Sequence, residues 1–268
     1  MNIEAILVAY NQTLDSSASY SALRRARVGI TVCDNSTVSE TVNVNRKIAV
    51  SDGVNYISMD GNAGLTKAYN RAFAELRKLP GDYIVCIFDD DTEIPEEYFT
   101  SLESALSDND AWVFLPTVTD GTSGKFISPC RIDGCRVSGA DEVFSIPQDK
   151  LSGINSGLAL RRSVTDKYLY DEKIFLDYAD HAFLRTLRSD GVKFKVFSSP
   201  LIQNFSRSTE ITREASQIRF DIFRKDFSEF CSGGTLIDRL YCKAYLALRQ
   251  FRINRIRQDK NDSEDIQK

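Results

Sequence analysis

The sequence predicts an α/β fold with a mostly parallel central sheet, flanking helices and a C-terminal helical extension. Short, β-branched apolar segments alternate with polar turns and with an amphipathic helical segment, which is typical of doubly wound sheets. The chain has 268 residues, of which 42% are hydrophobic, and this is enough for a substantial core. In folds of this class, ligands bind beyond the carboxyl ends of the strands.

The first half of the chain supplies the predicted parallel strands and one helix. Four apolar segments predict the buried strands, at 3–9, 28–33, 54–58 and 83–88. Between the last two, apolar residues recur at helical spacing until Pro80 and Gly81 end the pattern. These residues are Leu65, Ala68, Tyr69, Ala72, Phe73, Leu76 and Leu79.

The second half is less regular and predicts three parts. Residues 111–118 predict another strand, and the Gly-, Ser-, Pro- and Asp-rich stretch 119–150 predicts loops with short strands. A helix over about 178–189, a last strand at 192–197 and a basic helical region beyond Thr209 follow. We therefore divide the chain into a ligand-binding half (1–115), a second half of the same domain (116–210) and an extension (211–268).

Charge and cysteine content limit the classes of partner and the compartment. The net charge is −4 with a pI near 5.3, which argues against nucleic acid as a partner. The six cysteines form no CxxC pair, so we expect a reducing, cytoplasmic environment. No basic leader precedes the first apolar run and no run reaches about 18 apolar residues, so we expect neither a signal peptide nor a membrane span.

Three adjacent carboxylates follow the fourth predicted strand. Asp89, Asp90 and Asp91 repel one another unless a cation or a set of donors neutralises them. In an extended segment Asp89 and Asp91 point to one side and Asp90 to the other. Mg²⁺ or Mn²⁺ binds few carboxylates and leaves places for water and phosphate oxygens, so this spacing predicts a metal and diphosphate site.

Two other interpretations of the three aspartates stay open at this stage. The acidic residues precede Ile94, Pro95 and Glu96, so they could simply cap a helix that begins there. A strand-end aspartate could also be phosphorylated as a nucleophile. That motif usually has Thr or Val four residues after the aspartate, whereas Thr92 stands three after Asp89, which disfavours it.

Six motifs in order resemble the family 2 glycosyltransferases, most closely their rhamnosyltransferase-like and galactofuranosyltransferase-like members. The resemblance covers residues 3 to about 206. Each motif alone is weak, and the order makes the match specific. The motifs are AYN (9–11), DNS (34–36), GNAGLTKAYN (61–70), FDDDT (88–92), NSGLALRR (155–162) and FLDYADHAFLRTLRSDG (175–191).

The resemblance implies a GT-A, Rossmann-like fold and metal-dependent, inverting sugar transfer from a nucleotide-diphosphate sugar. By motif match, Asp89 and Asp91 would bind Mn²⁺ or Mg²⁺. The acceptor would lie near Asn155, Ser156, Gly157 and His181. The nucleotide sugar would lie near Ala9, Tyr10, Asn11, Asp34, Asn62, Gly64, Leu65, Asn70 and Asp90.

Several of these positions also have purely structural explanations. Gly61 and Gly64 let the backbone approach phosphate at a helix N-terminus, but they would equally suit a plain turn. Asn70 could bridge loops instead of binding the ligand. Asn155, Ser156 and Gly157 would also fit a tight turn before a strand.

Inverting transfer needs one general base for the acceptor hydroxyl, and two carboxylates are candidates. Asp177 and Asp180 are three residues apart at the start of a predicted helix. By resemblance to the acidic motif of the family, Asp180 is preferred and Asp177 supports it. The offset from Asp180 to Arg185 is one residue shorter than the family pattern, so Asp177 remains an alternative, and one of the two could instead cap the helix.

The only histidine, His181, gives no zinc site by itself. Many members of the family carry a metal-binding His after the last core strand, where this chain has Gln203 and Asn204. We therefore expect weaker metal binding, or binding completed by water.

The tail between 238 and 260 has seven Lys or Arg against two Asp, with Leu, Tyr, Phe and Ile interleaved at helical spacing. A basic amphipathic helix of this kind either lies on an anionic membrane surface or packs on its own domain or a second subunit. The first alternative would place the protein at the inner face of the cell membrane, and the second would make a homo-oligomer.

The resulting hypothesis is a glycosyltransferase that extends a glycan or lipid-linked acceptor, in bacterial surface polysaccharide synthesis. The donor nucleotide is UDP or dTDP. One alternative is an inactive nucleotide-sugar-binding assembly subunit, because the metal-binding His is replaced. A nucleotidyltransferase is disfavoured, since residues 9–19 (AYNQTLDSSAS) lack the Gly-rich basic loop of that class.

Overall fold

A mixed, curled β-sheet forms the centre of the molecule. The computed structural model describes residues 2–108, 110–203 and 213–265, with the backbone alone at 213–214 and 255–265. In these residues the strands are β1 (Ile3–Ala9), β2 (Gly29–Asp34), β3 (Asn55–Ser58), β4 (Ile84–Asp89), β5 (Thr92–Glu93), β6 (Val113–Asp120), β7 (Phe126–Ser128), β8 (Cys130–Asp133), β9 (Arg136–Ser138), β10 (Leu151–Ser152), β11 (Leu158–Arg161) and β12 (Phe194–Gln203).

Eight helices of the described residues flank the sheet. Within this part of the chain, none of them is long and apolar enough to cross a membrane. The helices are α1 (Ala18–Ala26), α2 (Ser39–Asp52), α3 (Leu65–Leu76), α4 (Glu97–Ala105), α5 (Arg162–Lys167), α6 (Ala179–Ser189), α7 (Arg213–Ser232) and α8 (Leu236–Asp265).

The strand order confirms the predicted α/β class and refines it. Across the described sheet the order is β3-β2-β1-β4-β11-β6-β12-β5, with β7 beside β6. The pairs among β1 to β4 are parallel, as predicted, and so is the pair of β6 with β12. However, β11 runs antiparallel to both β4 and β6, and β5 and β7 are also antiparallel to their neighbours. The second half of the sheet is therefore mixed rather than mostly parallel.

The strands form where predicted because they are buried on both faces. In β1 nearly every residue is buried, so a continuous apolar run rather than an alternating one marks it. The last strand is longer than predicted: β12 continues beyond Phe197 to Gln203 because it pairs with β6 on one side as far as Asp120 and, at its end, with β5 on the other side. Two Ser and a Pro in this extension interrupt the apolar pattern.

A tight turn after β4 curls the sheet. The chain leaves β4 at Asp89, turns through Asp90 and Asp91, and enters β5, which pairs with the far end of β12. In this pairing Thr92 lies opposite Gln203. The turn thereby connects the middle of the sheet to its edge, and the three aspartates come to lie beside the end of β12.

The C-terminal helices share the core of the sheet. One face of the sheet packs on α3 and α6, and the same apolar cluster contains Phe220, Phe223, Phe227 and Phe230 of α7. The other face packs on α1 and α4. The predicted C-terminal helical region is confirmed, and α7 is an integral part of the core.

Candidate active site

The backbone of the acidic turn is fastened by serines of the first helix. The Ser17 hydroxyl donates to the carbonyl of Asp90 at 2.7 Å. The Ser19 hydroxyl lies 2.6 Å from the carbonyl of Asp89 and 2.7 Å from that of Thr92. Ser19 is fully buried, so the backbone of the turn is held from the interior of the protein.

The three carboxylates have different partners. Asp89 accepts a hydrogen bond from the Ser156 hydroxyl (2.7 Å), and Asp91 accepts one from Nε2 of Gln203 (3.3 Å). Asp90 turns the other way and accepts one from the backbone N–H of Tyr10 (3.0 Å). Asp90 thus has a different partner from Asp89 and Asp91, but the segment is a turn here and not the extended chain that the prediction assumed.

The aspartates do not cap the helix that follows. That helix, α4, begins at Glu97, and its N-cap residue Glu96 makes no side-chain capping bond. The short strand β5 separates it from the acidic turn. The capping interpretation therefore does not explain why three carboxylates are placed here.

The environment disfavours the charged form of each carboxyl. Burial raises the pKa of Asp89, the charge of Asp180 raises it further, and hydrogen bonds from Ser156 and Gln203 oppose the rise. Burial also raises the pKa of Asp90 to about 6, with contributions from its two acidic neighbours. The pKa of Asp91 is raised by burial and by the charge of Asp89. Crowding these carboxyls disfavours their charged forms, and contacts within the protein alone give no reason for it.

The donor atoms present here fit a hard divalent cation. In the described part of the chain no Lys or Arg pairs with these aspartates, and no three His, Cys, Asp or Glu side chains converge on one point. Gln203 adds a neutral oxygen: its Oε1 is buried and, among the described residues, has no hydrogen-bond partner. Two carboxylates and an amide oxygen suit Mg²⁺ or Mn²⁺ completed by water and phosphate. Asn204, the other residue predicted to replace a histidine ligand, lies outside the described residues.

A groove lies at the ends of β2 and β3. It has a volume of about 380 Å³ and is lined by polar residues that include Ser36, Thr37 and Arg46. The Tyr10 side chain is 50% exposed, which leaves its ring free to stack on a planar group. Ala9 is buried, and its carbonyl accepts a hydrogen bond from the Asn35 N–H (2.8 Å).

Asn11 and Asp34 shape this groove by holding its loops. The side-chain oxygen of Asn11 accepts the N–H of Thr37 at 2.8 Å and that of Val38 at 3.2 Å. Asp34 is fully buried and accepts three hydrogen bonds, all from within the protein. Its donors are Ser36 N (2.9 Å), Asn45 Nδ2 (2.9 Å) and the Tyr56 hydroxyl (2.8 Å). Direct contact of Asp34 with a nucleoside stays a prediction, and its position favours a supporting role.

The N-terminus of α3 is bound to a loop from the second half of the chain. Leu65 N donates to the carbonyl of Phe175 at 2.8 Å, and the Thr66 hydroxyl donates to that of Ile174 at 2.6 Å. Gly64 has φ +91°, and a Cβ there would lie 2.6 Å from the Phe175 ring. Asn62 accepts the N–H of Gly64 at 3.2 Å. Glycine is thus required by close approach and by backbone conformation together.

The two base candidates have different environments. Asp180 lies in the first turn of α6, close enough to Asp89 for the two charges to interact, and its carboxylate accepts the N–H of His181 at 2.7 Å. Asp177 instead forms a two-pronged ion pair with Arg219 of α7, with one N–O distance of 2.6 Å. Both oxygens of Asp177 are therefore engaged by Arg219, whereas no Lys or Arg of the described residues pairs with Asp180. The geometry therefore favours Asp180.

These observations can be compared with known proteins. A family model described as Glycosyl transferase family 2 matches residues 5–169, more than half of the chain. The chain belongs to this family. The family match ends at 169, before Asp177 and Asp180, so those residues and the C-terminal helices lie outside it.

One relative agrees with the rhamnosyltransferase-like resemblance. The dTDP-rhamnosyl transferase RfbF of Shigella flexneri is 26% identical over 183 residues. The aligned part covers 67% of this chain and 60% of that relative, so the chain spans about three fifths of the relative's length.

Solved structures confirm the GT-A fold predicted for this family member. GalNAc-T7 with UDP, GalNAc and Mn²⁺ matches with a TM-score of 0.57 at 14% identity, over 85% of this chain and 48% of that chain. The glucosyl-3-phosphoglycerate synthase of Mycobacterium tuberculosis, with Mn²⁺, UDP and phosphoglyceric acid, matches with a TM-score of 0.54 at 14% identity. That match covers 87% of this chain and 79% of the synthase. At these identities the likeness concerns the fold alone.

Three of the four predicted acceptor residues have side chains that already form hydrogen bonds within the protein. Asn155 accepts a hydrogen bond from the Tyr170 hydroxyl (2.8 Å), and His181 Nδ1 lies 2.8 Å from the Ser152 hydroxyl. Gly157 has φ +79° and faces Leu201 and Pro116, which explains the glycine. Ser156 is buried and orients Asp89. Contact of these four with an acceptor stays a prediction.

Asn70 bridges loops, as one of its two interpretations expected. Its Nδ2 donates to the carbonyl of Tyr170 (3.0 Å) and to Glu172 (3.0 Å), and its Oδ1 accepts the N–H of Tyr170 (2.8 Å). With both ends of the amide occupied, Asn70 fastens α3 to the 170–172 loop. Its contact with the nucleotide sugar stays a prediction.

Two site residues were not predicted from the sequence. The Tyr69 hydroxyl is fully buried near Asp89 and Asp180, without a hydrogen-bond partner among the described residues. Asp226 of α7 is also fully buried and accepts the N–H groups of Phe175 (2.9 Å), Leu176 (2.7 Å) and Asp177 (2.9 Å). The signal for Asp226 was a carboxylate on an otherwise apolar helix face, three residues after Phe223 and four before Phe230.

Proposed function

We propose that this protein is a glycosyltransferase that moves a sugar from a nucleotide-diphosphate sugar to an acceptor hydroxyl, with inversion at the anomeric carbon. The single observation that carries the proposal is that Asp180, in the first turn of α6, lies close to the buried Asp89 of the acidic turn. The acidic turn is suited to bind a metal-bound diphosphate, and Asp180 supplies a second carboxylate close to it. A transferase that inverts configuration needs those two functions on opposite sides of the anomeric carbon.

The donor is proposed to lie along the ends of β1 to β4. The nucleoside would occupy the groove lined by Ser36, Thr37 and Arg46, and the diphosphate would lie beside the acidic turn. Asp89 and Asp91, with Gln203, would hold Mg²⁺ or Mn²⁺. When bound, the ion supplies positive charge that stabilises the departing diphosphate.

Asp180 is proposed to act as the general base. Its carboxylate takes the proton of the acceptor hydroxyl while the oxygen of that hydroxyl forms a bond to the anomeric carbon. The bond from that carbon to the diphosphate breaks, and its electron pair leaves with the diphosphate. Asp177 holds Arg219 and so fixes the loop before α6, rather than accepting the proton.

The donor and acceptor classes follow from the relatives as proposals. Because one relative is named a dTDP-rhamnosyl transferase and several solved neighbours hold UDP, we propose dTDP or UDP as the donor nucleotide. The acceptor is proposed to be a glycan or a lipid-linked glycan of bacterial surface polysaccharide synthesis. A lipid-linked acceptor would place the protein at the inner face of the cell membrane.

The test compares two substitutions that change one atom each. Asp180→Asn is expected to lower transfer from dTDP-rhamnose or a UDP-sugar by at least about 100-fold, with donor affinity unchanged within about threefold, because the base is lost and the donor site is intact. Transfer is measured by product formation with Mn²⁺ and donor affinity by calorimetry.

Asp177→Asn is the matched control and is expected to retain far more transfer than Asp180→Asn. The reverse order of the two variants would assign the base to Asp177. Donor binding by the unsubstituted protein without transfer to any offered acceptor, and without donor hydrolysis, would support the inactive assembly subunit instead.

A further inference from the structure

We propose that the exposed face of α8 binds the surface of an anionic lipid bilayer. This inference deepens the proposed function, because it names the surface on which a lipid-linked acceptor would be met. The face is an apolar stripe formed by Leu240, Ala244, Ala247, Leu248 and Phe251, which recur every three or four residues along one side of the helix. Leu240 is 58% exposed, Leu248 60% and Phe251 61%.

The opposite face of α8 is already occupied by the body of the protein. Cys242 is buried, the rings of Tyr245 and Phe227 lie 5.5 Å apart, and the Arg249 guanidinium lies 3.8 Å from the centre of the Phe223 ring. The Asp238 carboxylate accepts the backbone N–H of Cys135 at 3.1 Å. The helix is thus fixed, and its apolar stripe is turned outwards rather than into its own core.

Basic side chains flank the stripe. On the helical projection Arg239 and Lys243 lie along one border and Arg252 along the other. Between 236 and 254 the basic residues are Arg239, Lys243, Arg249 and Arg252, and the acidic residue is Asp238, whose carboxylate is turned inwards. The whole chain carries a net charge of −4, so this local excess of positive charge indicates an anionic partner.

A bilayer fits this surface better than a second copy of the chain. An isologous contact would place the stripe of one copy against the stripe of the other and bring like-charged borders together. A bilayer suits both the apolar stripe and its basic borders, because the apolar side chains enter the acyl boundary while Lys and Arg reach anionic headgroups. The basic residues predicted at 255–260 have side chains outside the described residues.

The test is flotation of the full-length protein with vesicles of defined composition. We expect at least about tenfold more protein to float with phosphatidylcholine vesicles that contain phosphatidylglycerol than with phosphatidylcholine alone, and high salt should reduce the difference. The double variant Leu248→Glu, Phe251→Glu should lose this binding. Arg239→Glu with Lys243→Glu should lose the preference for phosphatidylglycerol.

Phe144→Glu is the matched control, because Phe144 is also 61% exposed but lies in the 143–145 turn, far along the chain from α8. It should float like the unsubstituted protein. Equal flotation of all variants would overturn the proposal. It would also be overturned if the unsubstituted protein did not float and Phe251→Glu halved the mass measured by light scattering, because the stripe would then be a dimer interface. Flotation needs no turnover, so its failure would leave the proposed transfer intact, and loss of transfer with normal flotation would do the reverse.

Discussion

At the scale of single residues, the buried carboxylates of the acidic turn lower the stability of the folded protein. The pKa of Asp89 is raised chiefly by burial, so the charged carboxylate is disfavoured in the folded protein. For an acid this means that the penalty on folding grows as the pH rises above the unfolded pKa of about 4, is complete above the raised pKa, and vanishes below pH 4, where both states are protonated. The metal-free protein therefore carries a cost at neutral pH that a bound cation would remove.

Asp89→Asn should stabilise the metal-free protein at pH 7 by about 1 kcal/mol, or about 2–4 °C in melting temperature. The amide keeps the shape and can still accept a hydrogen bond from Ser156, while the buried charge is gone. Thermal melts from pH 4 to 8 in a chelator measure the effect, which should shrink as the pH falls.

The exposed Asp15 gives the control, because Asp15→Asn should change the melting temperature little at any pH. The same Asp89→Asn protein should lose the Mn²⁺-dependent part of its donor affinity. A variant that is less stable than its parent at pH 7, or that binds donor as before with Mn²⁺, would contradict this account of the turn.

Sequence reasoning found the residues at strand ends but not what each side chain touches. The position of Asp34 follows from the strand that precedes it. Its burial depends on Asn45 and Tyr56, which come from two other elements. Tyr69 was predicted as a core residue because its spacing in α3 is that of an apolar face, and spacing does not report what lies opposite a hydroxyl. Such contacts span distant parts of the sequence and are decided by tertiary packing.

At the scale of elements, α7 holds the loop that leads to Asp180. The Asp226 carboxylate accepts three consecutive backbone N–H groups, and Arg219 pairs with Asp177 in the same loop. Asp226→Asn leaves one side-chain oxygen for the three donors. We expect transfer to fall about 10- to 100-fold, because the base is displaced from its working position.

A double-mutant cycle separates positioning from simple destabilisation. When Asp180 is already Asn, Asp226→Asn should cause little further loss of the residual transfer, since the group it positions is absent. Asp221→Asn is the control: it lies on the same helix, and its carboxylate is 45% exposed and pairs with Arg224 at 3.0 Å. Equal losses from Asp226→Asn in both backgrounds would mean that Asp226 supports only the fold.

The elements that could be predicted are those whose buried faces are apolar. The parallel strands and α3 have continuous or periodic apolar residues, and their positions were confirmed within a few residues. The helices α1, α2 and α4 were not predicted. Within α2 the buried residues are Asn45 and Ala49, so no apolar stripe marks this helix, and the apolar face of α1 is short and includes the buried Ser19. Their polar residues are buried because they hold the site loops.

At the scale of the whole molecule, we expect the described chain to unfold as one cooperative unit. One apolar cluster contains Val85 of the first half, Phe183 of the second and Phe227 of the extension. The three predicted segments therefore share a core, although their boundaries stay predictions. Calorimetry should show a single transition whose calorimetric and van 't Hoff enthalpies agree, and two separated transitions would contradict a shared core.

The contact between Gly64 and Phe175 limits where segments of related proteins can be exchanged. The donor-side loop and the base-side loop meet backbone to backbone at this contact, yet the family match ends at residue 169 and so includes only the first of them. A chimera joined at that boundary would inherit its two loops from different parents. Chimeras made to change substrate preference should therefore take both loops and α7 from the same parent protein.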